Sequence, residues 1–278
     1  MHLSEAWPLY ETDKKLLNYS KHTLKAYKLQ VRLLSEGLND TDINQITYEQ
    51  LKGYLSRQEH LKPSSIGHRI RFIQSLFRWA IDEGYVSKNP AARLKEPKLG
   101  TRIPKFLTED DIETLREACI SPLEHALTEF MYTTGCRIGE IATLNRATLD
   151  MQNGSVIVHG KGDREREVYF NTKCRIWLKK YMDVRKDKDP ALFVTERAPH
   201  RMSIAQIRYI IKRIAARAGI EVNVYPHRLR HSYATHLLNN GAPMEAIQQL
   251  MGHQKAETTQ IYAQLSGERR RELYKRYF

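Results

Sequence analysis

Residues 95–107, KEPKLGTRIPKFL, most constrain what this chain can fold into, because they interrupt it. They hold two prolines, one glycine and four basic groups, which is a linker composition. A chain of 278 residues is long enough for two domains, and the boundary falls here: a first domain over 1–94, a linker over 95–107 and a second domain over 108–278. Thr108, followed by Glu109, Asp110 and Asp111, then opens a helix with acids in its first turn, where they complement the positive end of the helix dipole.

The first domain reads as helical. Leu24, Tyr27, Val31 and Leu34 recur at spacings of three and four and form one face of a helix. Lys21, Lys25, Lys28 and Arg32 make a parallel stripe about 100° round the same helix, so one face can pack while its neighbour meets an anion. Thr47 is placed to cap a helix from Tyr48 to about Arg57. Pro63 and Ser64 open another, with Ile66, Ile70, Ile73, Phe77 and Ile81 on its apolar face and Arg69, Arg71 and Arg78 on other sides. Gly84 and Asn89-Pro90 end it.

The second domain is expected to be mostly helical with one small sheet. Ser155 to His159 and Glu167 to Phe170 are β-prone and flank GKGDRER, a hairpin turn. Ile204, Ile207, Ile211, Ile214 and Ala218 mark an amphipathic helix, and helical patterns continue through 227–239, 243–251 and about 256–263.

Hydrophobic residues make up 41% of the chain, enough to build a core. No apolar run is long enough to span a membrane and residues 1–10 lack a signal-peptide pattern, so a cytoplasmic protein is expected. The formal charge is +13, and it is shared: 18 basic against 11 acidic residues in 1–107, and 27 against 21 in 108–278. Two basic halves fit a polyanion that touches both better than a single basic tail would. Cys119, Cys136 and Cys174 are odd in number and far apart, which favours buried, reduced thiols over a disulfide framework or a zinc site.

The chemistry-bearing residues lie in the second domain. Arg137 and Glu140 sit in TGCRIGE, three apart at a helix start, where they would share a face. Arg137 can offer a planar fork to two phosphate oxygens and Glu140 can hold nearby cations, although the commonplace alternative is a weak surface ion pair. Lys161 lies in a Gly-Lys-Gly turn that is too short for a nucleotide-binding loop but leaves the lysine able to reach a ligand. His227, Arg230 and His231 lie at i, i+3 and i+4. A zinc protease pattern needs a glutamate after the first histidine, and Arg228 stands there instead. A histidine beside an arginine suits an anion, with His227 able to exchange a proton near neutral pH, while His231 and His236 read as structural. Tyr262 follows His253 by nine residues in GHQKAETTQIY and supplies a nucleophile. One nucleophile with a set of cations and proton carriers is a kit for attacking a phosphodiester without a metal.

The ordered set Arg137, Lys161, His227-x-x-Arg230, His253, Tyr262 resembles that of the tyrosine recombinase (phage integrase-type) family, and is most similar to its small Xer-like recombinases and transposon resolvases. The resemblance spans nearly the whole chain. It implies a mainly α fold: a helical, SAM-like core-binding domain, then a mixed, mostly α catalytic domain with a small antiparallel sheet and a C-terminal tail helix. It implies that Arg137 and Arg230 clamp the scissile phosphate, and that Tyr262 attacks phosphorus to leave a 3′-phosphotyrosyl link and a free 5′-hydroxyl. Lys161 would protonate the leaving oxygen, His227 would assist deprotonation of the tyrosine, His253 would hydrogen-bond the phosphate, and Glu140 would support them from behind. Lys21, Lys25, Lys28, Arg32, Arg69 and Arg71 would grip the duplex. No cofactor and no metal is implied. The partners implied are double-stranded DNA and a homotetramer on synapsed sites, alone or with a paralogous recombinase, with residues 266–278 docking on a neighbouring subunit. Two other functions compete: a type IB-like DNA-relaxing enzyme with the same phosphotyrosine chemistry, against which the core-binding likeness argues, and a DNA-binding protein without catalysis, against which the full side-chain set argues.

Overall fold

The computed structural model describes residues 1–100, 106–160 and 165–252. The chain forms two compact units, Met1–Thr101 and Arg102–Phe278.

Among the described residues, the first unit is built from four α-helices: α1 (Leu3–Leu16), α2 (Lys21–Gly37), α3 (Tyr48–Ser56) and α4 (Pro63–Asp82). Local chemistry sets where they begin. Ser20 accepts the Thr23 amide at the start of α2, and Thr47 and Gln50 cap each other's backbone at the start of α3. Pro63 occupies the first turn of α4, where its missing N–H costs nothing. In α2, Leu24, Val31 and Leu34 are buried while Lys21, Lys25, Lys28 and Arg32 are exposed, as the two stripes require. In α4 the buried set is wider than one stripe, because Phe72, Leu76, Trp79 and Ala80 join Ile70, Ile73 and Phe77. The extra face receives α1, which brings Leu3, Ala6, Trp7 and Tyr10 into the same core. Tyr10 lies 5.2 Å from Trp79 and stacks on Tyr27 at 5.9 Å, and its hydroxyl shares a 2.8 Å hydrogen bond with Ser75. Burying each such ring stabilises the unit by roughly 1.5–3 kcal/mol. Helix α1 has no clean apolar stripe: Lys14 is buried, Leu9 and Leu16 are exposed, and Pro8 interrupts its hydrogen bonding.

The second unit runs α5 (Glu109–Glu117), α6 (Pro122–Thr134), α7 (Ile138–Thr143), β1 (Leu149–Asp150), β2 (Ser155–His159), β3 (Glu165–Tyr169), α8 (Thr172–Val184), α9 (Ile204–Arg217), α10 (Pro226–Asn239) and α11 (Met244–Met251). The strands form one antiparallel sheet in the order β1-β2-β3, with Val158 opposite Arg166 and Val156 opposite Val168. Strand β3 begins two residues before the expected Glu167, because Glu165 still pairs with His159. Thr108 caps α5 with Asp111 as its reciprocal partner. At the C-terminal end of the 95–107 stretch, Leu107 is fully buried in this unit's core and its amide donates to Ser232 Oγ at 2.8 Å.

Helix α6 is the central element, with α8, α9 and α10 packed round it. It buries residues on every side, including Glu124 and Glu129, so no amphipathic stripe marks it. Both carboxylates are paired: Glu129 takes a two-pronged contact from Arg116 at 2.6 and 2.9 Å, and Glu124 binds Arg213 and Arg217. A buried carboxylate without such partners would be strongly destabilising. All three cysteines are buried free thiols. Among the described residues, no helix is long and apolar enough to cross a membrane.

Candidate active site

Glu140 organises the site. Its side chain is only 4% exposed, and its two oxygens accept four hydrogen bonds. Arg137 supplies its backbone amide at 2.7 Å and Nη1 at 2.9 Å, and Arg166 supplies Nη1 and Nη2 at 2.8 Å each. Burial alone would raise the Glu140 pKa, but the hydrogen bonds and charge of Arg166, followed by those of Arg137, hold it below the ordinary carboxylate value. Arg137 does not lie inside the helix with Glu140, as the three-residue spacing suggests. It is the N-cap of α7, in extended backbone, and Glu140 is the third helical residue. The contact survives because this is a capping arrangement, in which the third residue reaches back to the cap amide.

The C-terminal end of α11 faces this group. The Leu250 carbonyl accepts Arg166 Nε at 3.1 Å, the Met251 carbonyl accepts Arg230 Nη2 at 2.5 Å, and the Gly252 carbonyl accepts Arg137 Nη2 at 3.0 Å. Three successive carbonyls thus each hold a different guanidinium. A helix end leaves its last carbonyls without partners and carries partial negative charge, so cations settle there. Arg230 also donates Nη1 to the Gly135 carbonyl at 2.5 Å and is only 4% exposed. Gly135 ends α6 with φ +58°, and a Cβ there would come within 2.4 Å of the Tyr233 ring, so this corner requires glycine. Arg137 is the open member of the set, with about a third of its side chain (34%) exposed.

His227 stands on the first turn of α10, one residue after Pro226, and is exposed at the surface. Partial desolvation by the protein on its inner side, followed by the charges of Arg230, Arg208 and Arg137, lowers its pKa below 6.5. The imidazole is therefore neutral at neutral pH and able to accept a proton. His231 is lowered as well, through burial first and His227 and Arg230 next. His236 is buried, and its Nδ1 shares a 2.7 Å hydrogen bond with the Tyr132 hydroxyl, a packing role.

Of the residues singled out from sequence, the structure gathers Arg137, Glu140, His227 and Arg230. Lys161, His253 and Tyr262 lie outside the described residues, as do the tail 266–278 and the expected helix at 256–263. In the first unit Lys21, Lys25, Lys28 and Arg32 share one exposed face of α2, where Arg32 makes a 3.6 Å pair with Glu36. Arg69 and Arg71 are already engaged: Arg69 donates to the Tyr54 hydroxyl at 2.9 Å, and Arg71 binds Glu96 at 2.9 Å. Sequence reasoning passed over Arg166 and Arg208. Arg166 had a usable signal, since it lies two residues before buried Val168 on a strand and so shares its inward face.

Glu140 offsets one of the three charges carried by Arg137, Arg166 and Arg230, which leaves a net positive, partly desolvated site, fitted to a phosphate. The phage integrase family model matches residues 105–269, and that of the phage integrase N-terminal SAM-like domain matches residues 14–84. The chain is 32% identical over 275 residues to tyrosine recombinase XerC of Oceanobacillus iheyensis, covering 92% of this chain and 90% of that one. In fold it is similar to lambda integrase 75–356, solved as a dimer bound to a COC′ core site (TM-score 0.81, 20% identity, 96% and 97% of the two chains). It is also similar to a lambda integrase tetramer bound to a Holliday junction (TM-score 0.77, 19% identity, 92% and 78%). With well over half of its length matched by these models and a relative above 30% identity along nearly all of it, the chain belongs to the phage integrase family of tyrosine recombinases.

Proposed function

We propose that Arg137 and Arg230 are the two arms that hold the scissile phosphate during site-specific DNA recombination by this chain. The chain is a site-specific DNA recombinase that works through tyrosine cleavage; the assignment of steps to residues is our reading. The observation that carries it is that Glu140 binds Arg137 and Arg166 while the successive carbonyls of Leu250, Met251 and Gly252, at the end of α11, hold Arg166, Arg230 and Arg137. Groups fixed in this way need no reorganisation as charge builds on the equatorial oxygens of the phosphorane, and each well-placed donor is worth roughly 3 kcal/mol, about a hundredfold in rate.

In this scheme Tyr262 attacks phosphorus, the P–O5′ bond breaks, and a 3′-phosphotyrosyl link is left beside a free 5′-hydroxyl. Neutral His227 accepts the tyrosine proton, Lys161 gives one to the departing O5′, and His253, which follows Gly252 directly, hydrogen-bonds the phosphate. The covalent link stores the bond energy, so rejoining needs no ATP. The exposed cations of α2 add sequence-independent grip on duplex DNA. The active assembly is a homotetramer on paired sites in the cytoplasm, supported by the tetrameric lambda integrase relative, and residues 266–278 dock on a neighbouring subunit.

The test is a nicked duplex carrying the protein's site, on which a covalent protein–DNA adduct accumulates. Tyr262→Phe keeps binding and loses the adduct; an adduct that persists in that variant removes the nucleophile assignment. Joined product from two sites separates strand exchange from simple relaxation.

A further inference from the structure

We propose that Arg166 is a positioning residue for DNA cleavage, one that ties the β2–β3 connection carrying Lys161 to the phosphate clamp, an inference resting on the role given to Lys161 above. Strands β2 and β3 close at His159 opposite Glu165, and Lys161 belongs to the connection between them. Arg166 is the next residue on β3, opposite fully buried Val158. It sits one residue inside the described start of β3 and is 12% exposed.

Its guanidinium binds two other elements at once. Nη1 and Nη2 grip both oxygens of Glu140 on α7, and Nε reaches the Leu250 carbonyl at the end of α11. The same carboxylate holds Arg137. One planar group therefore fixes the start of β3 to the residue that orients the phosphate arm and to the end of α11, which His253 follows in sequence after Gly252. A lysine carries the same charge but lacks the rigid fork needed to meet a carboxylate bidentately and a carbonyl together. Gly252 is shaped to allow this: at φ +61° it has no Cβ, and one placed there would lie 2.9 Å from Arg166 Cδ.

The step at stake is departure of the 5′ oxygen. As the Tyr262 Oη–P bond forms and the P–O5′ bond breaks, the oxygen takes a proton from the Lys161 ammonium. If sulfur replaces that oxygen, the P–S bond breaks and a thiolate leaves unprotonated, since thiols are acids of pKa about 8.5. Sulfur substitution therefore bypasses the acid and leaves the clamp's task unchanged.

The experiment measures single-turnover adduct formation by saturating full-length protein on nicked duplexes with either O5′ or S5′ at the scissile phosphate. Arg166→Lys and Arg166→Gln are compared with Lys161→Ala and Arg137→Ala. We expect the Arg166 variants to lose about a hundredfold on oxygen and to return to within about threefold of wild type on sulfur, as Lys161→Ala does. Arg137→Ala stays slow on both. The ratio of two rates from one protein sample cancels any loss of folded fraction. Arg166 variants that are slow on both substrates, or fully active on oxygen, overturn the proposal while Lys161→Ala is still rescued. A Lys161→Ala that sulfur does not rescue removes the acid assignment itself, and the proposal with it.

Discussion

Arg137 and Arg230 donate to neighbouring carbonyls, Gly252 and Met251, at 3.0 and 2.5 Å. Two guanidinium groups from different elements are thereby fixed by the end of one helix, yet they differ in burial. Arg230 is 4% exposed and also carries the Gly135 carbonyl, whereas Arg137 is about one-third (34%) exposed. Alanine at the two positions should separate chemistry from folding. Arg137→Ala is expected to slow adduct formation by about 10²–10³ with a stability loss of about 1–2 kcal/mol, since Glu140 keeps Arg166 and the residue-137 amide while the Gly252 carbonyl loses its partner. Arg230→Ala is expected to lose the reaction as well as stability, because two buried carbonyls each lose a partner at about 1–3 kcal/mol. Denaturant unfolding run beside the adduct assay reads both; equal destabilisation by the two variants contradicts the division.

Glu140 predicts a pH effect on stability. Its pKa is lowered on folding from an ordinary 4.5, so the folded state favours the ionised form. Its contribution is fully present above about pH 4.5 and is lost as pH falls through the lower, folded value. Glu140→Gln should cost about 3–5 kcal/mol at pH 7, since Arg166 and Arg137 then face an uncharged amide. It should also flatten the fall in stability below pH 4.5. Urea midpoints of the two proteins across that range check it.

His227 predicts a pH effect on rate. With its pKa below 6.5, it is neutral at pH 7 and becomes charged only as the solution turns more acid. If it accepts the tyrosine proton, the second-order rate of adduct formation falls on the acid side with a midpoint below 6.5. His227→Ala removes that limb and lowers the plateau by about 10²–10⁴. An unchanged acid limb in the variant assigns the titration to another group.

The elements that could be read from sequence are those with one wet and one dry side. Helices α2, α4 and α9 show their stripes because solvent lies along part of each, and α3 is marked by its Thr47 cap. Helix α6 does not, because Glu124 and Glu129 are buried beside Leu127 and Phe130 and only their arginine partners, distant in sequence, explain them. Helix α8 exposes Ile176 and Val184 while burying Cys174 and Leu178, which blurs its period. At the site, Arg137, Glu140, His227 and Arg230 were legible because their residue types carry the chemistry. Three acceptors in the site were not, since Leu250, Met251 and Gly252 act through backbone carbonyls that any residue possesses.

The basic face of α2 predicts a change in salt dependence. Lys25 and Lys28 are exposed, and no ion pair to either is seen among the described residues. Each that contacts a phosphate releases about one counterion, so Lys25→Ala should reduce the slope of log K against log salt by about 0.9. Arg69→Ala should instead lower stability, because its guanidinium is spent on the Tyr54 hydroxyl. Fluorescence anisotropy across a salt series reads the first and thermal melting the second.

Gly252 and Gly219 offer a controlled comparison, because both adopt left-handed backbone, at φ +61° and +65°. A Cβ at Gly219 would meet nothing within 4 Å, so Gly219→Ala carries only the conformational penalty of about 1–2 kcal/mol. A Cβ at Gly252 would lie 2.9 Å from Arg166 Cδ and 3.1 Å from its Nε. Arg166 cannot simply swing away, since Glu140 and the Leu250 carbonyl hold all three of its nitrogens. Relief has to come from moving the end of α11, which also carries the carbonyl that steadies Arg137. Gly252→Ala is therefore expected to slow adduct formation by about tenfold or more beyond Gly219→Ala, each 1.4 kcal/mol of misplaced clamp being worth a factor of ten. Equal rates in the two variants would show that Arg166 yields without disturbing the phosphate arms.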